Sequence, residues 1–251
     1  MTIFPIRFIE ADDAAPLAVH RLGSGRPVLL LHGLFSSAEV NWVKYGTAQR
    51  LADAGFEAIM PDLRAHGASA ALHDPAAYPP DVLVKDALAL VAALGLTDYD
   101  LVGFSLGART ALGAVLAGLT PRQLVLGGMG LEGLTGWARR SAHFVDAIDR
   151  FGTIERGDPA FVAQAFMKTM QVDRTAMRLL LGSVEDIVPG AVARVTMPTL
   201  VVCGADDGDN GSATALAKAL PDGRYAEVPG NHMTSVTRPK FGEAIARFLA
   251  A

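Results

Sequence analysis

Short apolar runs alternate along this chain with longer segments whose apolar residues recur at helical spacing. The runs Val28–Leu31, Glu57–Met60, Tyr99–Phe104, Gln123–Leu126 and Thr199–Cys203 are four to six residues long and nearly free of charge. That is the pattern of strands buried on both faces of a parallel sheet. Ile6–Ala11 and Leu17–Leu22 are more mixed and flank Asp12-Asp13, which predicts an antiparallel hairpin at the sheet edge, and Arg224–Val228 predicts a last strand. Between them, Asp81–Leu94 sets Val84, Leu88 and Val91 on one helical face with Asp81 as N-cap, and Ala108–Leu119 follows directly on a strand. Pro239–Leu249 opens on a proline suited to a first turn and aligns Phe241, Ile245 and Phe248.

The alternation breaks between residues 131 and 195. This stretch holds three helical patterns and no convincing strand: Thr135–Phe151, Asp158–Met170 capped by Asp158 with Val162, Phe166 and Met170 in line, and Asp173–Glu185 with Met177, Leu180, Leu181 and Val184. The expected fold class is therefore α/β, a mostly parallel sheet of about eight strands flanked by helices. Residues 1–130 and 196–251 form the core and 131–195 a helical cap.

Composition narrows the classes of function. Of 251 residues, 51% are hydrophobic and 19% charged, enough apolar matter for a large core. Acidic residues outnumber basic ones 26 to 22, whereas a duplex-binding protein carries a basic surplus to meet phosphates; no nucleic-acid partner is expected. The single cysteine, Cys203, can form no internal disulfide and supplies no cysteine metal cluster; within a buried strand it reads as an apolar filler. No apolar run approaches the ~20 residues that span a bilayer, and the N-terminal residues lack the pattern of a signal peptide. The sequence thus predicts a cytoplasmic protein without a membrane partner, as monomer or homodimer.

The chemistry is concentrated in Gly103-Phe104-Ser105-Leu106-Gly107, between an apolar strand and a helical run. A strand turning sharply into a helix forces its central residue into an unfavourable backbone conformation and packs chain so tightly against chain that only glycine fits two residues to either side. The serine hydroxyl then stands above the sheet at a helix N-terminus, where negative charge is favoured. A serine needs a base. Of six histidines, His232 alone follows the last predicted strand and precedes the last helix, at the carboxyl ends of the strands where ligands gather. His20 in the hairpin and His143 on a cap helix read as surface positions, and His73 falls in a polar loop. An acid should follow the preceding strand, where Asp206, Asp207 and Asp209 all qualify and spacing alone does not choose.

Four ordered blocks resemble the α/β-hydrolase family over nearly the whole chain: Leu30-Leu-His32-Gly33-Leu34-Phe35, Pro61-Asp62-Leu-Arg64-Ala-His66-Gly67-Ala-Ser69, Gly103-Phe-Ser105-Leu-Gly107, and Val202-Cys-Gly204-Ala-Asp-Asp207 with Gly230-Asn-His232. Ala65 departs from the family's usual glycine. The resemblance implies a Ser105–His232–Asp207 triad, with Glu132 as the alternative acid, and an oxyanion hole made by the backbone N–H groups of Leu34 and Leu106. Such donors contribute roughly 3 kcal/mol each. It also assigns His32 and His66 structural roles, implies a strand order of 1-2-4-3-5-6-7-8, and calls for no cofactor and no metal.

Serine at position 105 implies attack on an acyl carbon of an ester, thioester or lactone, because the family's dehalogenases and epoxide hydrolases use Asp there. Carbon–carbon bond hydrolases keep serine but commonly place Trp after the histidine, where this chain has Met233. Perhydrolysis or haloperoxidation on the same triad, or a receptor that binds without turnover, are the alternatives. The expected partner is a small, mainly apolar acyl substrate. Phe35, Trp137, Phe144, Phe166, Met170 and Met233 are the expected pocket residues. Arg109, one turn beyond Ser105, reads as an exposed arginine, a partner for the cap, or a contact for an acid-bearing substrate. Arg139-Arg140 has as its default a solvated face.

Overall fold

In a computed structural model, which describes residues 6–251, the chain forms one eight-stranded sheet: β1 (Arg7–Glu10), β2 (Pro16–Gly23), β3 (Arg26–Leu31), β4 (Phe56–Pro61), β5 (Asp100–Phe104), β6 (Leu124–Gly127), β7 (Thr199–Gly204) and β8 (Gly223–Val228). Their spatial order is β1-β2-β4-β3-β5-β6-β7-β8, as expected from the family resemblance. β1 and β2 form the antiparallel edge hairpin, β2 runs antiparallel to β4, and all remaining pairings are parallel. Each predicted strand is present within a residue or two. The expectation about a leader sequence concerns in part residues 1–5, which lie outside the described residues.

Strand alternation divides the core into two layers. Leu29 and Leu31 of β3 face one layer with α2 (Val82–Ala93) and α3 (Leu106–Leu116); Val28 and Leu30 face the other with α1 (Thr47–Asp53) and the C-terminal Pro239–Leu249 helix. The last helix buries Phe241, Ile245 and Phe248 as its spacing predicts. α2 corrects the prediction in two respects. Val91 is buried as predicted, but Val84 and Leu88 are only half-buried, and Leu83, Ala87 and Leu90 form the rest of the apolar inner face. Asp81 precedes it in a left-handed conformation and caps nothing; its carboxylate accepts from Glu185 N–H at 3.0 Å instead. The unanticipated α1 is seven residues long, too short to display a period.

Between β6 and β7 the chain is helical throughout its regular elements: α4 (Trp137–Asp149), α5 (Phe161–Thr169) and α6 (Arg174–Ser183), with two 3-10 turns. Asp173 caps α6 through Ala176 N–H at 3.0 Å. Asp158 does not cap α5, which starts at Phe161; it closes the preceding turn through Ala160 N–H and pairs with Arg150 at 2.7 Å. The inward side of α5 is Met167, whereas Val162 is 61% exposed because it faces an open cavity. Among the described residues no helix is long and apolar enough to cross a membrane.

Arg109 fastens this helical segment to the sheet layer. It is buried rather than exposed, and its guanidinium donates to Gly133 O at 2.8 Å, to Glu185 O and to Asp186 at 3.3 Å, and lies over the Trp137 ring. Asp186 also accepts the N–H groups of Gly136 and Trp137. One side chain thus joins α3 to the entry and the exit of the segment. Its removal leaves the two carbonyls without their donor, at about 1–3 kcal/mol, so Arg109→Met is expected to lower the urea unfolding midpoint by that equivalent. A change below about 1 kcal/mol contradicts the clamp.

Candidate active site

The β5–α3 turn places Ser105. Its backbone sits at φ 53°, ψ −113°, and its N–H donates to Gly127 O at 2.8 Å. A Cβ on Gly107 would collide with the backbone of Leu31 and His32, and one on Gly103 with the backbone of Gly107. The chain crossing therefore demands glycine at both positions and leaves the Ser105 side chain directed off the carboxyl end of the sheet.

His232 opens a short helix (His232–Ser235), whose N-terminus is fixed by a capping box between Asn231 and Thr234. The Phe104 ring stacks on the imidazole at 5.2 Å. Ser105 Oγ and His232 Nε2 are 2.9 Å apart, and His232 Nδ1 lies 2.9 Å from Asp207 Oδ2. Burial works against ionising Asp207, but the hydrogen bond and charge of His232, with Asp209 N–H and the Cys203 thiol, outweigh it and hold the pKa below the usual carboxylate value. An ionised carboxylate can only accept, so Nδ1 carries the proton and Nε2 presents its lone pair to the serine hydroxyl. Asp206 is exposed, and Glu132 accepts from Ser212 N–H at 2.6 Å. Asp207, Asp209 and His232 also bring potential ligand atoms within 4.8 Å of one another, but Nδ1 and Oδ2 are engaged with each other.

The loop after β3 is held by a buried polar frame. Gly33 N–H donates to Asn41 Oδ1, Phe35 N–H to His66 Nε2 at 3.0 Å and Ala38 N–H to Asp62 Oδ1; in turn Leu63 N–H donates to His32 Nε2. These bonds occupy the amides around Leu34, while Phe35 takes φ 59°. His66 Nδ1–H donates to Arg64 O and His32 Nδ1–H to Gly33 O, so both Nε2 atoms accept only while neutral. Burial lowers the pKa of each, that of His66 to about 3. His20 is half-buried rather than superficial and lies 3.4 Å from Asp62.

A cavity of about 340 Å³ opens onto Ser105 and His232. Phe35, Phe144, Phe166 and Met233 line it as expected. Trp137 lies outside this cavity but borders a second, small recess at Ser105; its ring packs beneath Arg109, with Nε1–H donating to Leu181 O at 2.9 Å. Met170, at the end of α5, borders a separate crevice beside His66 and Asp173. Helical spacing could not tell which side of the segment faces the cavity. It also missed Val162 and His143, which line the cavity from α5 and α4, and Tyr45 and Thr237 from the core. The Cys203 thiol, read as a plain filler, lies 3.5 Å from Asp207 Oδ2, and burial next to that carboxylate pushes its pKa up to about 12.

The sequence model of a family described as alpha/beta hydrolase fold matches residues 26–152. Over 106 residues the chain is 36% identical to an epoxide hydrolase of Caballeronia sordidicola, covering 42% of this chain and 31% of that protein. Over 142 residues it is 34% identical to a non-heme haloperoxidase of Rhodococcus erythropolis, covering 51% and 49%. The match thus spans about a third to a half of the length of these curated relatives. Among solved structures, a hydrolase from Pseudomonas aeruginosa PA01 superposes with a TM-score of 0.77 at 25% identity, covering 98% of both chains.

The His66 geometry yields a stability prediction. The ring stays neutral in the fold down to about pH 3 but protonates near 6.5 once the chain unfolds. Protons are therefore taken up on unfolding across that window, and stability present above pH 6.5 is lost as pH falls. Between pH 7 and 5 this contributes a loss of about 2 kcal/mol. His66→Gln, whose amide oxygen can accept the Phe35 N–H, should show a smaller drop in Tm over that interval; an equal or larger drop contradicts the assignment.

Proposed function

The chain belongs to the alpha/beta hydrolase fold family, and from that premise we propose that it is a serine hydrolase cleaving carboxylic esters, thioesters or lactones of small, mainly apolar substrates. The observation that carries this reading is the continuous chain of hydrogen bonds from Ser105 through His232 to Asp207, opening onto a cavity walled largely by apolar side chains. Ser105 Oγ forms a bond to the acyl carbon while its proton passes to His232 Nε2. Asp207 stabilises the imidazolium, and the Leu34 and Leu106 N–H groups receive the developing oxyanion. Collapse breaks the acyl–oxygen bond, and the leaving alcohol takes the proton from Nε2. Water then adds to the acyl-enzyme with the same nitrogen as base, releasing the acid and restoring Ser105.

The curated relatives named epoxide hydrolase and haloperoxidase differ in how well their chemistry suits a serine nucleophile. Opening an epoxide with Ser105 would leave a serine ether, which has no carbonyl for water to attack, so the cycle would stop after one turnover. The acyl route closes. The haloperoxidase name fits the same acyl-enzyme, intercepted by peroxide instead of water. Residues 131–195 serve in this reading as the cap that shapes the cavity, through Phe144, Val162 and Phe166. None of these steps calls for a metal or an organic cofactor.

Asp207→Asn should lower kcat for a neutral ester such as p-nitrophenyl acetate by about three to four orders of magnitude, with Glu132→Gln leaving it within a fewfold. Ser105→Ala should abolish turnover above the oxyanion-hole background. An active Ser105→Ala, or an Asp207→Asn protein with intact kcat, means that the chemistry lies elsewhere.

A further inference from the structure

Ser105 is bordered by two cavities of very different size, and their positions relative to His232 differ. The large one, about 340 Å³, reaches Ser105 along His232 and is walled beyond it by Met233, Val236 and Thr237 from the core and by Val162 and Phe166 from α5. The small one, about 20 Å³, adjoins Leu106 and is walled by Met129, Gly133, Trp137, Asn210, Arg109 and Arg140, and His232 is not among its walls. Leu34 and Phe144 line both and divide them.

The reaction imposes a direction on this arrangement. In the tetrahedral intermediate the oxygen of the leaving group must lie at His232 Nε2, since that atom delivers its proton, and the oxyanion must lie at the Leu34 and Leu106 amides. The remaining substituent, the acyl chain, points away from the histidine. Resting on the serine-hydrolase reading above, we infer that the large apolar cavity holds the alcohol part of the substrate and the small recess the acyl part, so that the substrates are short-acyl esters, acetates above all, of bulky apolar alcohols or phenols. A recess of ~20 Å³ admits little more than one small group, since a single water needs roughly 10–15 Å³ by the same measure.

Two isomeric esters separate this from the opposite orientation, because they differ only in which side of the carboxyl carries the phenylethyl group. Wild-type protein is expected to hydrolyse phenethyl acetate with kcat/KM at least tenfold above that for methyl 3-phenylpropanoate. A smaller or reversed preference overturns the inference. Met129→Ala enlarges only the recess and should raise the ratio of phenethyl butyrate to phenethyl acetate turnover by fivefold or more; an unchanged ratio in a folded variant also counts against it. Stoichiometric labelling of Ser105 by an organophosphonate keeps the two levels apart. A labelled enzyme with the wrong ester preference loses the orientation alone, whereas no label and no turnover of either ester defeats the serine-hydrolase reading with it.

Discussion

The close crossing of backbone at the end of β5 is the constraint on which the rest of the structure depends. Gly103, Gly107 and Leu31 approach so tightly that no side chain fits between them, and the residue at the apex is held at φ 53°. A non-glycine residue at such a conformation costs of order 1–3 kcal/mol, which the surrounding sheet layers offset. The strain has a use. It lifts Ser105 Oγ off the sheet at the start of α3. The parallel pairing of β5 with β3 and β6 then brings the loops carrying Leu34 and Gly128 to the same end, and β7 and β8 add Asp207 and His232.

Polar groups buried around that end are held in pairs rather than singly. His32 and His66 each donate through Nδ1 to a carbonyl and accept an amide through Nε2, and Asp62 accepts two amides. Arg64, 1% exposed, is matched by Asp13 and Asp86. A buried donor or acceptor left alone costs about 1–3 kcal/mol, so each of these bonds fixes geometry as well as satisfying a group. Arg109 applies the same logic across the boundary with the helical segment: it meets backbone carbonyls of two distant loops, so the walls of the cavity are positioned by a residue one turn from the serine.

Much of this was legible in the sequence, for reasons that differ by element. The strands were visible because burial on both faces leaves uncharged runs, and the Gly-x-Ser-x-Gly turn because the crossing forbids other residues. Asp207 could be separated from Asp206 only through family resemblance; the structure adds the hydrogen bond that spacing could not supply. Helix faces were harder. α2 is covered on more than one side, so its period did not single out Leu83, Ala87 and Leu90. In the helical segment both the interior and the cavity walls are apolar, so spacing alone does not separate Met170, which borders another crevice, from Val162, which lines the cavity, or Trp137, which borders only the small recess at Ser105. The burial of Arg109 left no trace in the sequence, because its partners are carbonyls 24 and 76 residues away.

The proposed chemistry requires a covalent acyl intermediate at Ser105, which rapid-quench intact-mass spectrometry during turnover of an activated acetate ester tests most directly. The expected result is a transient species heavier by one acetyl group, which maps after proteolysis to the peptide containing Ser105 and decays at the rate of turnover. Steady turnover with no such species in a phase where acylation outpaces deacylation, or an acetyl group carried on another residue at a competent rate, contradicts it.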